Sequence, residues 1–173
     1  MGYTHYWKWN TLPDAGRFAQ WSEDVKTLID SLFLYPELTG GSLNICGPDG
    51  TGRPVITGTK VAFNGDEAED EAHESFIIDL HTPKPLSALL GATFPDDMAL
   101  FDSFCKTGRE PYDLVVTAAL IRLAHHFPDV EISSDGWLED WQDGSQLCQQ
   151  IFGAGVIPFS DEADDDDDDD DTF

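Results

Sequence analysis

The stretch FCKTGREPYD at residues 104–113 runs into LVVTAALIRLAHHF at 114–127 and meets Pro128. Its second half predicts a helix. Pro111 suits a first helical position, Asp113 favours the positive end of the helix dipole, and Pro128 stops the helix after Phe127. Apolar residues fall on nearly every side, so this helix must be wrapped by other elements at the centre of the fold. The polar residues ahead of it, Cys105-Lys106-Thr107, are the first place to look for chemistry.

Upstream, Gly2–Asn10 predicts a strand with aromatics on both faces, and therefore a central one. Tyr3, His5, Trp7 and Trp9 share one face, which makes His5 a buried histidine. Asp14–Phe33 has helical spacing, with Phe18, Trp21, Val25, Leu28, Ile29 and Leu32 as its apolar stripe and Glu23, Asp24 and Asp30 facing out. Strands are expected at Ser42–Cys46, Pro54–Ile56 and Lys60–Asn64, with the Gly47–Gly52 turn making a hairpin. An acidic loop, Asp66–Glu71, precedes a strand at His73–Leu80. Thr82–Asp97 carries three prolines and is long enough for a lid, with a short helical turn at Leu86–Leu90. Met98–Cys105 reads as a short strand or turn.

Downstream, Val130–Ser134 predicts a strand and Trp137–Gln142 a helix that docks through Trp137 and Trp141. Asp143-Gly144-Ser145 is expected to break that helix before a last turn at Gln146–Ile151. Val156–Phe159 reads as an edge strand. The order predicts an α+β fold, a mixed and mostly antiparallel sheet with helices packed on it. One globular domain spans 1–159, and 160–173 is expected to be a disordered poly-Asp tail.

The net charge is −25, of which ten charges come from Asp161–Asp171, leaving −15 on the rest. Such a field opposes direct binding to nucleic acid or anionic membranes and leaves a basic protein partner open. No run approaches the ~18 apolar residues of a membrane span. No signal peptide is expected, and three scattered cysteines suit a reducing, cytoplasmic setting.

Cys105 lies before the expected helix mouth and beside Lys106, two features that lower a thiol pKa. With His5 as base and Glu74 alongside, it is the candidate nucleophile. Asn64, His73, Lys106, Thr107, Arg109, Asp113 and Asp135 are the candidate ligand-binding residues. Lys106 and Arg109 make the helix mouth the one place on this acidic chain suited to an anion. Ser134 or Asp135 is expected to cap the helix at Trp137. His125 and His126 are adjacent on a helix, so they diverge, and no spacing in the chain indicates a metal site. The sequence leaves any cofactor open.

The strings MGYTHYW (1–7), FNG (63–65), HESF (73–76), FCKT (104–107), PYD (111–113) and SSDG (133–136) carry a resemblance. The chain resembles a family of short, uncharacterised proteins met in bacterial and phage genomes. That resemblance implies no activity, and the poly-Asp tail stands outside it. Two functions remain. In one, His5, Asn64, Glu74, Cys105, Lys106 and Asp113 line a pocket under the Pro-rich loop that binds or turns over a small polar ligand. In the other, the chain is an acidic module that blocks or tethers a basic partner.

Overall fold

The computed structural model describes residues 3–81 and 102–160. Its elements run β1 (Thr4–Lys8), α1 (Ala15–Ser31), α2 (Pro36–Thr39), β2 (Val55–Ile56), β3 (Lys60–Phe63), β4 (Phe76–Asp79), β5 (Asp102–Lys106), α3 (Asp113–His126), β6 (Glu131–Ser134) and α4 (Gln142–Phe152). The fold is α+β, with helices packed on antiparallel strands. The strands divide into two sheets of three, ordered β5-β1-β6 and β2-β3-β4, where the sequence suggests one mixed sheet.

The all-round apolar helix is α3, and every residue from Leu114 to Leu123 is buried. It starts two residues later than Pro111 suggests, with Tyr112 as its N-cap, and stops at Phe127, before Pro128. Asp14 caps α1 by accepting the Arg17 amide, and the expected stripe of Phe18, Trp21, Val25 and Leu28 is buried. Trp21 donates its indole N–H to the Ala119 carbonyl at 2.9 Å. On another side, Cys148 of α4 donates to the Ala118 carbonyl at 3.4 Å. Two alanines on α3 thus let both helices come close enough to reach its backbone.

Several expectations change. Asp24 does not simply face out: its Oδ2 accepts from Arg122 at 2.9 Å and from His126 at 2.7 Å on α3. α4 runs straight through Asp143-Gly144-Ser145, and Gly144 sits against α3, where an added Cβ would lie 2.2 Å from Thr117 Oγ1. Glycine here is a close-approach residue and not a breaker. Trp141 is fully buried, whereas Trp137 is 53% exposed. Ser42–Cys46 contributes one bridge, Cys46 to Asn64, in place of a strand, and no strand forms at 156–159. The Pro-rich loop with its expected lid and turn, and the poly-Asp tail, lie outside the described residues.

The two sheets are joined at residue 74. The Glu74 amide donates to the Lys106 carbonyl at 3.2 Å, and the Glu74 carboxylate accepts the Lys106 amide at 2.8 Å. Tyr112 donates its hydroxyl to the Glu74 carbonyl, and Cys105 donates its thiol to the same oxygen at 3.4 Å. His73 joins the clasp through Nδ1 on the Lys106 carbonyl, 2.7 Å away.

Candidate functional site: a buried His5 between Ser134 and Asp113

β1 is the central strand that its two-faced aromatic pattern predicts, and the register sets a row across its inner face. His5 pairs with Cys105 of β5 on one side and with Ser134 of β6 on the other. Successive side chains alternate along a strand, so the inward Trp7 and Ile132 imply an inward His5 and Ser134. His5 is completely buried. Its Nδ1 lies 2.8 Å from Ser134 Oγ, and its Nε2 lies 2.6 Å from Asp113 Oδ1 at the first position of α3. Two aromatic rings hold the imidazole edge-on, Tyr3 and Trp141, each with its centroid 5.0 Å away.

The partners assign the tautomer. Asp113 Oδ1 also accepts the Thr107 hydroxyl at 2.7 Å, so it acts as a carboxylate oxygen, and His5 Nε2 must carry the proton it receives. In the neutral ring Nδ1 is then an acceptor, and Ser134 donates to it. Ser134 Oγ accepts in turn from the Gly136 amide at 2.9 Å. Gly136 is required here, since a Cβ would sit 2.6 Å from the Tyr3 hydroxyl. That hydroxyl meets no hydrogen-bond geometry. Burial first, then the charges of Asp113 and Asp140, raise its pKa, with Arg109 and a nearby Ser134 pulling the other way.

This array opens to solvent at both ends. Ser134 lines a pocket of about 270 Å³ with Ser133, Asp135, Gly136, Trp137, Phe159 and Ser160. Asp113, 16% exposed, borders a cleft of about 300 Å³ that also holds Arg109, Glu110, Asp140 and Asp143. Arg109 is committed within it. It pairs with Asp140 at 2.9 Å and lies over the Tyr3 ring at 3.9 Å. The mouth expected to suit an anion therefore carries four carboxylates around one paired cation.

The structure brings His5, Cys105, Thr107 and Asp113 together. The expected low-pKa thiol is reversed at Cys105: burial first, then the charge of Glu74, push it up to about 12. The physical reason is that Cys105 lies within β5, fully buried, and does not stand free at a helix mouth. Glu74 and His73 bind the Lys106 backbone, as described above. Asn64 uses its whole amide locally: Nδ2 donates to Pro48 and His73 carbonyls, and Oδ1 accepts from the Gly65 and His73 amides. Asn64 and His73 border a separate polar cleft of about 380 Å³. Asp135 does not cap a helix; it accepts the Thr4 amide at 3.1 Å, while the Trp137 amide goes to Asp140 at 2.8 Å. Ser134 as the partner of His5, along with Tyr3, Trp141 and Phe159, went unseen by sequence reasoning. The signal for Ser134 was its alternation with Ile132.

Among the described residues, no group of three His, Cys, Asp or Glu side chains is arranged to hold a metal ion, and no helix is long and apolar enough to cross a membrane. No family model, curated protein or solved structure matches the chain.

Proposed function

We propose that the protein binds a small polar ligand in the pocket at the end of β6, with Ser134 as the contact group and His5–Asp113 as the pair that fixes its proton. The observation that carries this reading is the hydrogen-bonded line Ser134–His5–Asp113 ending on a pocket wall. A fully buried histidine is costly unless both nitrogens are satisfied, and here both are spent on orienting one hydroxyl.

The same line has the form of a base-activated nucleophile, with a third group orienting the base. Turnover is the weaker reading. The amides after Ser134 are already engaged: Asp135 N on Thr4 O at 2.9 Å, Gly136 N on Ser134 Oγ at 2.9 Å and Trp137 N on Asp140 at 2.8 Å. No pair of them is free to receive an oxyanion, a contribution worth about 100–1000-fold for a single donor. Recognition without covalent chemistry is what remains best supported.

Three separate, buried, free thiols support a reducing cytoplasmic setting. The net charge of −25 favours a second reading, an acidic module of bacterial or phage type that blocks a basic partner. The two are separated by one variant. A screen of small polar compounds, read by Trp137 fluorescence, should find binders to the native chain that Ser134→Ala loses. A binding activity untouched by Ser134→Ala and steeply weakened by salt would overturn the pocket reading in favour of the acidic module.

A further inference from the structure

The Ser134 pocket offers acceptors, and this sets the chemistry of its ligand; the argument rests on the binding reading above. Ser134 owns one hydroxyl proton, and with His5 neutral that proton is donated to Nδ1. One Oγ lone pair takes the Gly136 amide. Ser134 then has no proton left for the pocket, and its remaining lone pair lies near the buried Tyr3 hydroxyl as well as the pocket. Beside it, Asp135 can only accept, and its carboxylate is oriented by the Thr4 amide at 3.1 Å and the Tyr6 hydroxyl at 3.3 Å.

The rest of the wall adds neutral Ser133 and Ser160 hydroxyls and two aromatic rings, with no positive charge. Trp137 is 53% exposed at the rim, and Phe159 stands edge-on to Trp141 with ring centroids 5.0 Å apart. The faces of such rings are negative and attract cations. No lysine or arginine occurs among the described lining residues. We propose that this pocket takes a small organic cation, a primary ammonium whose N–H groups meet Ser134 and Asp135 while its charge lies against Trp137. A carboxylate or phosphate would face Asp135 and the ring faces with nothing to neutralise it. A neutral alcohol supplies one donor where the wall has several acceptors. The net charge of −25 adds to the local concentration of cations.

Three probes of one chain length isolate the head group: n-butylammonium, 1-butanol and butyrate at neutral pH and low salt. The readout is the NMR shift of the Trp137 indole N–H, assigned with Trp137→Phe. Butylammonium should bind at least roughly tenfold more tightly than butanol, and butyrate should not bind. Asp135→Asn, which keeps an acceptor for the Thr4 amide, should cost butylammonium a further loss of about tenfold. If butanol or butyrate shifts Trp137 as strongly as butylammonium, the cation assignment is wrong while the pocket reading stands. If no probe shifts Trp137, or Asp135→Asn leaves butylammonium binding unchanged, the cation assignment also falls. In either case the pocket reading is decided separately, by the Ser134→Ala screen.

Discussion

A thiol reacts through its thiolate, so the decisive quantity at Cys105 is how much thiolate exists at neutral pH. A pKa pushed up to about 12 leaves roughly a thousandth or less of the thiolate of an ordinary cysteine. Burial raises Cys46 and Cys148 as well, the latter also to about 12. Native protein at pH 7 should therefore resist iodoacetamide at all three positions, and each should label rapidly once denatured. Mass spectrometry of the labelled peptides checks this, and fast native labelling of Cys105 would contradict the burial described here. The lysine that sequence reading set beside this thiol offers its backbone to Glu74 and His73, which is why adjacency in the chain misled.

At the scale of elements, two contacts on α3 carry testable consequences. Gly144 of α4 faces Thr117 so closely that an added Cβ would lie 2.2 Å from Oγ1 and 3.1 Å from the Ala118 amide. Gly144→Ala should cost about 1–3 kcal/mol by overpacking, and Thr117→Ala in the same chain should return part of it, measured as a double-mutant cycle in urea. The second contact is Asp24 of α1 against Arg122 and His126. Burial alone would raise the Asp24 carboxyl, but hydrogen bonds from His126 and Arg122 outweigh it and hold the pKa below the ordinary value. A depressed carboxyl gives stability that is present above its unfolded value near ~3.9 and is lost as pH falls through the folded one. Asp24→Asn should cost about 3 kcal/mol at pH 7, where it leaves Arg122 unpaired, and its disadvantage should shrink below about pH 4. Thermal melts of both proteins across that range test the sign.

The elements themselves were largely legible. Period 3.6 found α1 and α3, period 2 found β1, and Pro128 gave the end of α3. What could not be read was long-range partnership: that Ser134 lies 129 positions from His5 yet across one strand pairing, or that Asp24 reaches back to α3. Local composition also misassigned Gly144, since a glycine that permits close approach looks the same in sequence as one that ends a helix. Alternation in β6 did contain the inward direction of Ser134. Its identity as a serine in a capping-like SSDG string drew attention elsewhere.

For the molecule as a whole, charge and pocket make separable claims. Ser160 belongs to the pocket wall, so a truncation that tests the acidic tail should keep it. A chain ending at Ser160 sheds ten negative charges. It should retain Ser134-dependent ligand binding within about twofold at high salt, where long-range attraction is screened. At low salt, affinity for a cationic ligand should fall modestly as the field weakens. Calorimetric titration of both chains at two ionic strengths separates these effects, and loss of binding at high salt would assign the tail a direct role.

The clasp at residue 74 has a mechanical consequence. The two three-stranded sheets are tied by the Glu74 amide on the Lys106 carbonyl and by the Lys106 amide on the Glu74 carboxylate, and Tyr112 and Cys105 both close on the Glu74 carbonyl. The line of parting between the halves thus runs beside the strand that carries His5. A ligand that tightens Ser134 against His5 acts one strand away from that seam. Slower deuterium uptake at the Lys106 amide would be the audible click of the pocket closing, heard from the other side of the sheet.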